Sequence, residues 1–232
     1  MQHAGRGPVG KGEPTGWREQ VAASLDLPVG PESVVVLENV ECPGLVPTRA
    51  RLFIAGVSGA GDQSVMERLC YEGPNSSFVV REPQDLRGLV AVQSTTAALT
   101  YARLFTSPAT AKCLPQPWWI EVVPRRELDH GLLLGIRRKV YFLGSVDAPS
   151  GTLGVLSEAD WDRSGLRLAA VSRRGASFVV KRALFEATTR SPRTHTVWEV
   201  SETVGPDGAF ERRTSRRLTR WRLNLNVAVD IM

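Results

Sequence analysis

"HTVWEVSETVGPDGAFERRTSRRLTRWR", residues 195–222, reads as two strands around a turn. His195 to Val204 and Phe210 onward are rich in β-branched and aromatic residues, and Gly205-Pro206-Asp207-Gly208 lies between them. Pro206 presets φ at the first central position of a turn, and Gly208 suits the positive φ that often follows. Further on, Trp221, Leu223, Leu225, Val227, Val229 and Ile231 alternate with Arg220, Arg222, Asn224, Asn226 and Asp230, which carries the strand pattern toward the C-terminus. A strand of about twelve residues spans roughly 40 Å, and strands that long twist and curl.

Working back toward the N-terminus, Arg167 to Val171 and Ser177 to Ala187 are further strand candidates, joined to their neighbours by "SRRGAS" and "TTRSPRT". The last third is therefore an antiparallel meander. Earlier strands are expected at Val34 to Val40, Arg51 to Ala55, Ser77 to Arg81 and in "KVYFLGSV". "PWWIEVVP", Pro117 to Pro124, is bracketed by prolines, which predicts an edge or irregular strand.

Helical signals are fewer. Trp17, Val21 and Leu25 recur at helical spacing after a Thr15 cap, with a stop before Pro28. In "STTAALTYARLF" Ala98, Tyr101, Ala102 and Phe105 share a face, and Ser107-Pro108 opens a second short helix. Ser157 as N-cap with Asp160, a staple between Leu156 and Trp161, and Gly165 as the stop define a third. The expected class is α+β: a long-stranded, curved antiparallel sheet partly covered by a few short helices. Residues 1–14, rich in Gly and Pro, read as a flexible tail, and 15–232 as a single domain.

The net charge of +5 is unevenly spread: residues 163–222 carry 14 Lys and Arg against 5 Asp and Glu, a surplus of +9, so the rest sums to −4. An acidic partner is to be sought at the C-terminal part. If the last strand is regular, Arg212, Arg216, Arg220 and Arg222 line one face and Trp221 the other. Such a row can track phosphates while an indole stacks on a base; equally, it can be a solvated face whose arginines pair with Glu199 and Glu202 across the strands.

The glycine cluster "LFIAGVSGAGDQS", Leu52 to Ser64, has three readings. As a phosphate loop it places Asp62 and Gln63 where Lys and Ser or Thr are required, so that reading is set aside. As a nucleophile elbow, Ser58 would take His195 as base and Asp129 or Asp147 as orienter. An elbow belongs to a parallel sheet with alternating helices, whereas the flanks here read strand after strand. The preferred reading is a glycine-rich connection between two strands.

Cys42, Cys70 and Cys113 show no C-x-x-C spacing, and His3, His130 and His195 no ligand spacing, so neither a metal nor a cofactor is expected. Trp118, Trp119, Tyr141, Phe142, Phe178, Phe185, Trp198 and Phe210 fall in strands, where they either fill the core or line an apolar pocket. No apolar run is long enough to span a membrane, and the N-terminus lacks a signal core, which gives a soluble, cytoplasmic expectation. The functional expectation is a non-enzyme: a binding or assembly domain for a protein partner or a small apolar ligand. Phosphate-backbone binding through the arginine strand is the second reading and a serine hydrolase the third.

Overall fold

The computed structural model describes residues 16–25, 29–57, 67–106, 118–124, 126, 140–143, 153–156, 158–187 and 195–221. The anticipated tail, Thr15, Ser107-Pro108, Ser157 and the alternating segment beyond Trp221 lie outside them. Two sheets and a few short helices give an α+β architecture. No described helix is long and apolar enough to cross a membrane.

The first sheet is a meander of β1 (Val34–Asn39), β2 (Arg51–Val57), β3 (Glu67–Glu72) and β4 (Ser77–Val79), each antiparallel to the next. β2 and β3 pair antiparallel with Gly56 opposite Glu67; the glycine-rich connection read from the sequence falls in residues 58–66, outside the described residues. The interior of β2 is buried on both faces. Helix α1 (Trp17–Ser24) accounts for one face: Trp17, Val21 and Leu25 cover Phe53, Ala55 and Cys70, with the Trp17 and Phe53 rings edge-on at 4.8 Å. Trp17 N–H donates to Ser77 Oγ (3.2 Å), which satisfies a donor that the Gly16 N-cap has no side chain to take.

The other face of this sheet, Leu52, Ile54, Leu69 and Tyr71, joins one cluster with helix α2 (Thr95–Leu104) and with Phe178, Val180 and Val204 of the second sheet. Ala98, Tyr101, Ala102 and Phe105, the anticipated face of α2, are all buried in it. Burying a large apolar side chain contributes about 1.5–3 kcal/mol, so this shared cluster is the main tie between the sheets. Ser94 caps α2, its Oγ accepting from Ala97 N–H (3.1 Å).

The second sheet contains β5 (Trp118–Pro124), β6 (Val140–Leu143), β7 (Leu153–Leu156), β8 (Ala170–Arg174), β9 (Ser177–Ala187), β10 (His195–Val204) and β11 (Phe210–Trp221), in the order β11-β10-β9-β5-β7-β6, with β8 also on β9. β9 and β10 have the limits read from the sequence, and Gly208, at φ +83°, closes the β10–β11 turn by donating its N–H to Gly205 O (3.1 Å). Helix α3 (Glu158–Ser164) ends at Gly165, φ +67°, with Trp161 buried.

One expectation is decided and another changes. Of the edge and irregular alternatives, β5 takes the irregular one: its first half pairs antiparallel with β9 and its second half parallel with β7, so it is not an edge. The bracketing prolines fall at its ends, where they leave the ladder of the intervening residues intact. β6 and β7 also pair in parallel, so this sheet is mixed rather than wholly antiparallel.

Candidate functional site

The inner face of the second sheet carries charges where its strand pattern is apolar. On β9 Arg182 shares a face with Phe178, Val180 and Leu184; on β10 Glu202 shares one with Val200 and Val204. Glu121 of β5 and Arg103 of α2 are buried as well.

These groups form a ladder across five elements. Arg103 grips Glu121 through Nε (2.9 Å) and Nη2 (2.8 Å). Arg182 Nη1 donates to the same carboxylate (3.0 Å), while its Nε (2.8 Å) and Nη2 (2.7 Å) grip Glu202. Arg212 of β11 completes it, donating from Nε to Glu202 Oε1 (2.7 Å) and lying over the Phe210 ring at 5.5 Å. Remaining donors reach α2: Arg182 Nη2 to Ala102 O (3.1 Å), and Arg212 Nη2 to Phe105 O (3.3 Å) beyond the helix end.

Signs alternate along the ladder, three arginines to two glutamates. Burial opposes the charge on Arg182, yet Glu202 and Glu121 together outweigh it and raise its pKa above the ordinary guanidinium value. Arg212 is lowered, by burial first and then by the like charge of Arg182, against the pull of Glu202. Both remain cations, since a guanidinium keeps its proton in a folded protein and each donates to the Glu202 carboxylate. The arrangement suits holding α2 and four strands in register rather than passing protons.

The sequence-predicted residues distribute differently from expectation. β11 is not regular: Leu218 and Ser215 are extra residues opposite β10, between Thr219 and Arg217 and between Arg216 and Thr214. Each bulge inverts the alternation. Arg212 and Arg220 therefore hold register positions opposite Glu202 and Thr196, on one face of β10, while Arg216 is opposite Glu199 on the other. The single row of Arg212, Arg216 and Arg220 is thus broken, and Arg212 is bound to Glu202 within the protein. The cross-strand pairing with Glu202, foreseen as the alternative, is present. Arg222, Ser58, Asp129 and Asp147 lie outside the described residues; His195 stands opposite Trp221 at the open end of β10.

Arg103, Glu121 and Arg182 were not singled out from the sequence. The available signal was parity: a charge in an apolar strand, in step with its apolar residues, must be buried and therefore paired. Among the described residues no group of three or more His, Cys, Asp or Glu is arranged to hold a metal ion. Comparison of the chain with protein-family models, curated proteins and solved structures finds no match.

Proposed function

We propose that this chain is a non-catalytic binding or assembly domain for a protein partner. One observation carries the reading: five largely buried charges satisfy one another in the Arg103–Glu121–Arg182–Glu202–Arg212 ladder, while exposed basic groups gather on the β8–β9 hairpin at Arg173, Arg174 and Lys181. The first set rigidifies the scaffold and the second faces solvent. A cytoplasmic setting belongs to the same reading, supported by the free thiols of Cys42 and Cys70.

Phosphate-backbone binding is the second reading, favoured by the basic surplus of residues 163–222. It now draws on Arg216, Arg220, Arg222 and Trp221 without Arg212. A small apolar ligand has less support, since the described inner-face residues Phe178, Val180 and Val204 are packed into the core. The antiparallel pairing of β2 with β3 weighs against an elbow at Ser58.

The deciding experiment is fluorescence anisotropy of the intact protein with a labelled mixed-sequence oligonucleotide and a labelled acidic peptide, each at two salt concentrations. Peptide binding without comparable oligonucleotide binding supports the proposal. Salt-sensitive oligonucleotide binding that vanishes when Arg216, Arg220 and Arg222 become Ala replaces it with the second reading.

A further inference from the structure

We propose that the free edge of β8 takes up an acidic, extended segment of a protein partner as an added strand. The inference rests on the protein-binding reading above and names its surface.

Gly175, at φ +62°, and Ala176 form a two-residue loop between the paired Arg174 and Ser177. A loop that short can be closed only by a pair exchanging both backbone hydrogen bonds. Alternation along the ladder then assigns the wide positions to Val171 and Arg173, opposite Val180 and Phe178. Their N–H and C=O groups point away from β9, to the side where no strand lies among the described residues. Four of the five β8 residues are exposed, and the fifth, Val171, packs against the core, so the strand is anchored while its edge stays open.

The edges at β1, β4 and β11 are blunted. β1 carries a register shift at Leu37, and Arg18 Nη1 donates to Val34 O (2.7 Å). On β4, Gln20 Oε1 accepts from Val79 N–H (3.0 Å). β11 has its two bulges. β8 pairs in unbroken register over its whole length.

Charge selects the occupant. Residues 165–182 contain five basic residues and no acidic one. Arg182 is committed to the ladder, but Arg167, Arg173, Arg174 and Lys181 are exposed around the edge, and Leu168, 42% exposed, adds an apolar contact at its start. An added strand bonds through its main chain and gains specificity from alternate side chains. Carboxylates at those alternate positions meet the arginines.

The test uses short labelled peptides: alternating Glu and Thr, alternating Lys and Thr, and a Glu peptide with Pro in place of every second Thr. Binding is measured to the wild type, to the Arg173→Glu, Arg174→Glu double variant and to Arg173→Pro, which deletes one outward N–H, with melting curves confirming that each variant folds. Arg173 and Arg174 are exposed, so the charge reversal keeps the test valid should the proline variant unfold. The Glu–Thr peptide is expected to bind the wild type, to lose about tenfold or more in the charge-reversed variant, and to slow hydrogen exchange at Val171 and Arg173. Equal binding to all folded variants overturns the β8 site and leaves the protein-binding reading standing. Oligonucleotide binding with no peptide binding overturns both. Binding of neither shows a guarded, solvated edge and overturns the inference.

Discussion

Replacing Glu202 by Gln removes one negative charge from the centre of the ladder and keeps the side chain's shape. Glu202 is fully buried and holds both Arg182, itself fully buried, and Arg212, whose side chain is 15% exposed. After the change three arginines face one glutamate. At an effective dielectric constant near 20, each ion pair at about 4 Å is worth roughly 4 kcal/mol before desolvation is subtracted. Breaking a buried pair from one side costs about 3–5 kcal/mol, because the stranded charge keeps its burial penalty. For a chain of this size that lowers the melting temperature by roughly 6–20 °C. Arg212→Gln is the internal control: it leaves two arginines against two glutamates, with Arg182 still gripping Glu202 by two hydrogen bonds. It is expected to cost about 1–2 kcal/mol, the scale of lost charge-assisted hydrogen bonds at a site partly open to water. Urea unfolding followed by circular dichroism at neutral pH measures both. If Arg212→Gln destabilises as much as Glu202→Gln, charge balance does not govern the ladder and the reasoning is refuted.

Three further outcomes follow from the same structure. Gly208 and Gly175 both have positive φ, but a Cβ on Gly208 would collide with Val90 and sit 3.1 Å from the Tyr101 hydroxyl, while one on Gly175 meets open space; Gly175→Ala should cost about 1 kcal/mol and Gly208→Ala about 3 kcal/mol, and equal midpoints in urea would contradict this. Ser94→Ala should cost about 1 kcal/mol in the same assay by removing the cap of α2. Tyr101, donating to Gly208 O (2.8 Å), has its pKa raised above the usual 10.0 by burial first and then by Asp207 and Asp85. The folded state thus holds this proton more tightly, and the associated stability is complete below the unfolded value and lost as pH rises through the folded one. The stability gap between wild type and Tyr101→Phe should therefore narrow between about pH 9 and pH 11, and a constant gap would show that the hydroxyl's burial does not set its ionisation.

Local rules made much of this fold legible. Gly208 and Gly165 stop their elements because a positive φ is free only to glycine, and β9 and β10 show their limits because turn residues bracket β-branched runs. Pairing that depends on distant chain was not legible. β3, "ERLCYE", mixes charges and small groups, and acquires its strand character from β2 on one side and β4 on the other. β5 looked like an edge because the prolines at its ends were visible, while the partners on its two sides, β9 and β7, lie some thirty or more residues away.

The arginines show why composition alone divided the functional readings. A surplus of +9 over residues 163–222 is one number, yet backbone parity splits it into two populations. Arg182 and Arg212 fall on the inner face, where desolvation obliges them to pair with Glu202 and Glu121. Arg173, Arg174, Lys181 and Arg213 stay exposed. On β11 the bulges at Ser215 and Leu218 decide the sorting, since each moves every later residue to the opposite face. Deleting Ser215 makes this concrete: Thr214 and Arg216 become successive strand residues, the bulge closes, and Arg216 keeps its place opposite Glu199. The shortened protein should therefore keep its urea midpoint to within about 1 kcal/mol, since every later residue retains its partner on β10. A midpoint lowered by several times that would mean that β11 slips instead of closing the bulge and that the register at Glu199 does not fix which face each arginine takes.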